Sequence, residues 1–156
     1  MSADSDQVSV GGDAYLTLRA LDQTFALPIE FARSVFKIEG LTRVPQAPSH
    51  LVGLSNLRGG IIGVVCLASK LDPDAPALGV GALAVAIQLG AETFALAVQE
   101  IGEVTHAHAE DISAAAKHVN RWQPAMMAGI IRSGAKLLPV LDPFGVFDIS
   151  PVAEAA

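Results

Sequence analysis

An all-β fold, barrel or sandwich, that uses one strand module twice is what this sequence predicts. Three observations predict it. Apolar residues alternate with period two or fall in short blocks, with frequent Gly and Pro between them. The strand-like segments recur at roughly 8–12-residue spacing with turn signals separating them, the rhythm of an all-β domain. Finally, Thr24-Phe25-Ala26-Leu27-Pro28-Ile29 returns as Thr93-Phe94-Ala95-Leu96-Ala97-Val98, an offset of 69 (94 − 25). A second match, at an offset of 76 (129 − 53), places Gly53 on Gly129 and Gly63-Val64-Val65-Cys66 on Pro139-Val140-Leu141-Asp142. The two matches run in the same order, with strands on strands, so they indicate a duplicated module.

Taken in order, residues 15–21 (YLTLRAL) alternate and read as a half-buried strand. Leu21-Asp22-Gln23 makes a hairpin connection, and residues 25–29 (FALPI) return. Residues 35–38 form a short strand, after which Pro45 and Pro48 mark an irregular crossing, because proline has no N–H for a ladder. Residues 51–57 and 61–67 are two more strands around Arg58-Gly59-Gly60, where the glycine pair supplies the freedom of a tight turn or bulge. The stretch DPDAPALGVG at 72–81 reads as a linker. Strands are then expected at 83–89, 93–98 and 101–105, a short helix at 110–119, strands at 127–131 and 136–141, and a turn of helix at 143–147. Each copy of the module is about 65–70 residues, a size at which a lone core is marginal, so the copies should pack together along a shared seam.

Composition narrows the function. The chain is 51% hydrophobic and 17% charged, the balance of a folded domain and not of a disordered one. Its apolar runs are short of the roughly 18 residues a membrane helix needs, so no membrane insertion is expected. Ten Lys+Arg against sixteen Asp+Glu give −6, without the clustered positive charge that nucleic acid requires. The polar, acidic start MSADSDQVSVGG lacks the basic-then-apolar pattern of a secretory signal and reads as a frayed tail. The single Cys66 has no partner within the chain and fits a reducing compartment, hence the cytoplasm.

Few residues carry chemistry. Arg58 reads plainly as a loop arginine covering apolar surface with its stem, and more pointedly as a planar five-donor head for a partner's carboxylate or backbone. His106 and His108 share a strand face, with His118 and Asp111 beyond, but a metal needs three or four converging ligands, and the segment reads first as a solvated loop. Cys66 sits inside IIGVVCL, a buried-strand pattern, where a nucleophile would lack an electropositive, partly open setting. There is no GxSxG elbow. Gly79-Val80-Gly81-Ala82-Leu83-Ala84 matches GxGxxA formally but precedes a strand, the wrong context for a dinucleotide loop. Trp122, Met126 and Met127 read as core filler. No cofactor is expected. The rival of another class is a small metal- or thiol-dependent enzyme using Cys66 and the His106/His108/His118 cluster. A ligand-binding barrel is a further rival, short of aromatic and polar groups to line a pocket.

Segment 35–40, the LVGLSNLRGGII stretch at 51–62 and the PVLD of 139–142 resemble the chemotaxis coupling protein family, CheW. The opening YLTLRALDQTFALPIEFARSV is similar to that family's first hairpin, and the resemblance runs from about Ala14 to Phe147. It implies an all-β fold of two tandem SH3-like five-stranded β-barrels packed together, with short helices. The domain would span residues 13–150, with the first barrel near 13–72, the second near 80–150, and tails at 1–12 and 151–156. It also implies a non-catalytic cytoplasmic adaptor that joins the cytoplasmic tip of a chemoreceptor to the regulatory domain of a CheA-type histidine kinase. The array it serves would concern chemotaxis, or pili or another pathway. Protein-binding positions carry over to Val35, Gly53, Arg58 and Gly59, and in the second barrel to Val98, Ile101 and Val104. Two positions depart from the family pattern. Lys37 stands where an acid is usual, so Glu39, two residues on and on the same strand face, is expected to pair with Arg58 instead. Cys66 stands where the first copy of the PVVDL motif carries Asp, while Asp142 keeps it in the second, so a turn-capping hydrogen bond is expected to be missing at Cys66.

Overall fold

A computed structural model describes residues 12–48, 50–113, 126–133 and 135–148. The expected helix at 110–119 lies largely outside them, as do His118, Trp122 and the two tails apart from Gly12. The strands are β1 (Asp13–Ala20), β2 (Gln23–Pro28), β3 (Ala32–Lys37), β4 (Leu51–Leu57), β5 (Gly60–Cys66), β6 (Leu83–Leu89), β7 (Glu92–Val98), β8 (Glu100–Ala107), β9 (Ile112–Ser113), β10 (Met127–Ser133) and β11 (Lys136–Leu141). Two short helices follow the ends of β5 and β11, α1 (Leu67–Leu71) and α2 (Pro143–Val146). The sequence pattern did not reveal α1 or β9.

The strands form two sheets, ordered β8-β1-β2-β11-β10-β9 and β3-β6-β7-β5-β4. The expected division into a first barrel at 13–72 and a second at 80–150 is therefore corrected. Each sheet takes its opening hairpin from one half of the chain and its remaining strands from the other. After β2 a 3-10 turn at Ile29–Phe31 sends β3 to the edge of β6, and β8 takes the equivalent place beside β1. The duplicated halves have exchanged strands, which knits both sheets into one body.

The repeat offsets reappear in the pairing. In one sheet β11 runs parallel to β2 with Val140 opposite Ala26; in the other β5 runs parallel to β7 with Val64 opposite Ala95. Ala26 and Ala95 are 69 apart (95 − 26), and Val64 and Val140 are 76 apart (140 − 64). The register slips match too, between Leu51 and Gly53 in β4 and between Met127 and Gly129 in β10.

Beyond β3 the chain crosses the second sheet, where Thr42 and Leu54 exchange two backbone hydrogen bonds of 2.8 Å and link its two margins into a barrel. Gly53 makes this crossing possible: a Cβ there would lie 2.6 Å from the Thr42 carbonyl oxygen, and its φ is +156°. At Gly129 the equivalent strand, β9, passes so close that a Cβ would meet Ile112 Cγ2 at 2.7 Å.

Alternation along each strand assigns its side chains to different cores. On β7, Ala95 and Ala97 point into the barrel while Leu96 and Val98 point to the other sheet; on β2, Ala26 points in while Phe25 and Leu27 point across. Each barrel interior is small, pairing alanines such as Ala84, Ala95 and Ala26 with a few larger residues, Ile38 and Ile62 in one and Tyr15 and Ile131 in the other. The large residues, including Leu18, Phe25, Ile87, Leu89 and Leu141, meet in one central core shared by both sheets, where Met126 and Met127 also lie. The largest hydrophobic cluster therefore sits in the seam between the two sheets.

The chain ends are fastened across the exchange. Phe147 stacks on Phe94 of β7 at 4.8 Å, and Phe144 meets Phe31 edge-on at 5.9 Å. Lys70 of α1 is largely buried, and its Nζ donates to Asp148 Oδ2 at 2.6 Å. Burial, and then the neighbouring Lys70 ammonium, hold the His50 imidazole below its ordinary value, against the opposite pull of Asp148. Asp142 Oδ1 accepts from the Phe144 N–H at 3.0 Å and caps α2. At α1 the equivalent Cys66 gives no side-chain cap, as its replacement of Asp implied. Its sulfur instead accepts from the Leu78 N–H at 3.4 Å, which draws residues 72–81 over the buried thiol.

Candidate functional site

The hairpin of β4 and β5 closes through a two-residue turn whose left-handed positions are Arg58 (φ 55°) and Gly59 (φ 85°). Gly60 is not in the turn conformation; it pairs with Leu57 as the first residue of β5. Positive φ at both central residues matches the right-handed twist of the strands, and Asn56 Oδ1 accepts from the Gly59 N–H at 3.1 Å to hold the turn. Arginine in the left-handed region costs about 1 kcal/mol relative to glycine. The result is an exposed guanidinium projected from the barrel's end. It lines a surface depression together with Arg33, Ser34, Ile61 and Gln88.

Arg58 does not pair with Glu39. Among the described residues the ion pairs are Arg19–Asp22 and Lys70–Asp148. Glu39 lines a neighbouring depression with Leu41, Thr42 and Asn56. The same-face argument failed because β3 ends at Lys37, and the chain then bends towards β4, so strand alternation no longer governs Glu39.

The remaining expected contact residues divide into two groups. Val98 is 1% exposed and Gly53 is buried, so neither presents a surface; Val98 fills the central core and Gly53 admits the Thr42 crossing. Ile101 is partly buried against that core. Val35 and Val104 are 50% and 48% exposed. They are 69 residues apart (104 − 35), hence the same position in the two copies. Val35 lies on β3 opposite Val85, and Val104 on β8 opposite Leu16, both partners being members of the central core. β3 and β8 end their sheets. The core-facing side of each sheet thus runs out at an edge strand bearing one uncovered valine.

A second exposed pair went unremarked in the sequence. Ile61 is 72% exposed and Leu137 59%, at the start of β5 and β11, and they are 76 residues apart (137 − 61). The doublet Ile61-Ile62 held the signal, since alternation must put one of two adjacent apolar residues outside.

The described groups of the rival chemistry are not assembled; His118 lies outside the described residues. Cys66 is buried at the end of β5, whereas His106 and His108 are exposed at the end of β8 in the other sheet. Among the described residues no group of three or more His, Cys, Asp and Glu is placed to hold a metal ion. No helix among them is long and apolar enough to cross a membrane.

Comparison with known proteins agrees with this architecture. Residues 14–150 match the family model described as the CheW-like domain. The chain is 23% identical over 146 residues to the chemotaxis protein CheW of Rhizobium meliloti, covering 94% of each. It is 37% identical over 49 residues to the chemotaxis protein CheW of Helicobacter pylori, covering 31% of this chain and 30% of that one. The crystal structure of the scaffolding protein TtCheW from Thermoanaerobacter tengcongensis has the same fold, with a TM-score of 0.79 at 19% identity over 90% of this chain and 95% of that one.

Proposed function

The chain belongs to the CheW-like domain family, and from that premise we propose that it is a non-catalytic cytoplasmic adaptor coupling chemoreceptor cytoplasmic tips to the regulatory domain of a CheA-type histidine kinase. The observation that carries this reading is the pair of uncovered valines, Val35 and Val104, on strands that end their sheets. An apolar side chain on a sheet margin, next to open backbone groups, suits the side of a partner helix or an added strand. Arg58, held beyond the hairpin by a strained but hydrogen-bonded turn, supplies a directional polar contact beside it. Two such margins on one rigid body let a single molecule touch two partners, and repetition across an array turns modest contacts into firm attachment. Coupling then requires no chemistry in the adaptor, only that it hold receptor and kinase in fixed relation.

The test is a binding experiment with purified receptor tip fragments and kinase regulatory domains from the same organism. Arg58→Ala should weaken at least one of the two contacts by roughly tenfold, the scale of an interface hot spot. If the parent chain binds neither fragment, the adaptor reading is wrong while the fold stands.

A further inference from the structure

The duplication supplies its own control for what the two edge strands recognise. The apolar anchors are kept between copies, Val35 with Val104 and Ile61 with Leu137, but the charges around them are not. On β3, Arg33, Val35 and Lys37 are all exposed; Lys37 shares the face of Val35, and Arg33 lies beside Ser34 towards the other face. Arg33 is the extra residue of a bulge, between Ala32 opposite Ile87 and Ser34 opposite Ala86, so the kink turns its guanidinium into the depression that Arg58 and Ile61 also line. Among the described residues no carboxylate lines that depression. None of Arg33, Lys37 and Arg58 forms an ion pair among the described residues; the nearest acids in sequence are Glu30, which lines a depression with Asp13, and Glu39, which lines the one next to Arg58. On β8 the equivalents of Arg33 and Lys37 are Gly102 and His106, and the strand carries the exposed acids Glu100 and Glu103 beside Val104. One backbone frame and one anchor thus carry cations on β3 and acids on β8, the acids at the positions of Phe31 and Ser34 with Glu100 opposite Arg19, in a chain whose net charge is −6.

From this contrast we infer that the β3 edge is the docking site for an acidic segment of a partner protein, an apolar side chain seated on Val35 with one carboxylate meeting Lys37 on that face and another reaching over the strand edge to Arg33, and that the acidic β8 edge excludes that segment. The inference rests on the docking reading above and adds the polarity of the partner. Exposed cations on an acidic protein do little for its own stability, but they attract a complementary surface and repel a like-charged one. Opposite rims on equivalent anchors also solve a problem that duplication creates, since two identical edges would take the same partner in two places.

The experiment titrates the full chain with the receptor tip fragment and, separately, with the kinase regulatory domain, at 50 mM and 500 mM NaCl. The variants are Arg33→Glu/Lys37→Glu, Val35→Asp and, for the other edge, Glu100→Lys/Glu103→Lys, each checked for an unchanged circular dichroism melt. The double reversal on β3 should weaken one of the two fragments at least tenfold at 50 mM, and the loss should shrink to less than threefold at 500 mM as salt screens exposed charge. Val35→Asp should abolish that same contact at both salts, and the β8 reversal should leave it intact or tighten it. If Val35→Asp abolishes binding but the β3 reversal stays within twofold of the parent, docking stands and the acidic partner is refuted. If Val35→Asp also binds like the parent, the docking reading itself fails.

Discussion

Val35 and Val104 occupy one position of a repeated module, each on a strand that ends its sheet and each directly opposite a residue of the shared core, Val85 and Leu16. Both are half exposed, so replacing them alters the surface and leaves the core's packing in place. Val104→Asp is expected to shift unfolding stability by no more than about 0.5 kcal/mol, the usual range for exposed substitutions. Partner binding at the β8 edge should nevertheless fall at least tenfold, since a charge would replace the apolar anchor. Urea midpoints together with titration against the kinase and receptor fragments check this; loss of stability alongside binding would place Val104 in the core.

The two repeat-related glycines should differ in cost when replaced. Gly53→Ala must move Thr42 backbone and adopt φ +156°, whereas Gly129→Ala, without a positive φ, meets the Cγ2 methyl of Ile112 at 2.7 Å and the Ser113 carbonyl oxygen at 3.0 Å. Gly53→Ala is therefore expected to destabilise by about 2–3 kcal/mol, in the range of strained backbone positions. Gly129→Ala should cost about 1 kcal/mol, in the range of ordinary overpacking. Chemical denaturation of both variants gives the order, and equal costs would contradict the barrel-closing role of Thr42.

Asp142 and Cys66 offer a matched comparison of a capped and an uncapped helix start. Asp142→Ala removes the acceptor of the Phe144 N–H and should cost about 1 kcal/mol. Cys66→Ala removes only a sulfur contact to the Leu78 N–H and a small buried volume, so its cost should be similar or smaller. The native thiol should also react with a maleimide at least about a hundredfold more slowly than in urea, because it must be uncovered before the reagent can reach it. Rapid native labelling would show that residues 72–81 do not cover it.

The His50, Lys70 and Asp148 group makes stability depend on pH in a defined direction. His50 has a folded value below its ordinary 6.5, so the unfolded chain binds a proton that the folded chain refuses. Stability is therefore full above about pH 6.5 and is lost as pH falls from there towards the folded value. His50→Gln should flatten the fall between pH 7 and 5 in urea midpoints. Asp148→Asn removes the one neighbour that raises His50 and also strips the largely buried Lys70 head of its partner. It should destabilise by about 1 kcal/mol at pH 7, because the Lys70 head is largely buried while Asp148 is 65% exposed. A pH profile unaltered by His50→Gln would show that another group governs the acid side.

Local chemistry determined much of this protein on its own. Period-two alternation, turn residues and the offsets of 69 and 76 placed nearly every strand and the duplicated register, because strand pairing reads the same pattern of apolar faces that the sequence displays. The Asp-to-Cys difference likewise pointed to a missing turn cap at Cys66, though not to the helix α1 that starts there. Tertiary structure decided the rest. A strand's alternation says that it has two faces but not which strand will lie against its edge, so the exchange that gives β3 to β6 and β8 to β1 was invisible. The same limit moved Val98 into the core, left its neighbour Val104 at the margin, and parted Glu39 from Arg58, since a side chain's exposure depends on what packs over it from elsewhere in the chain.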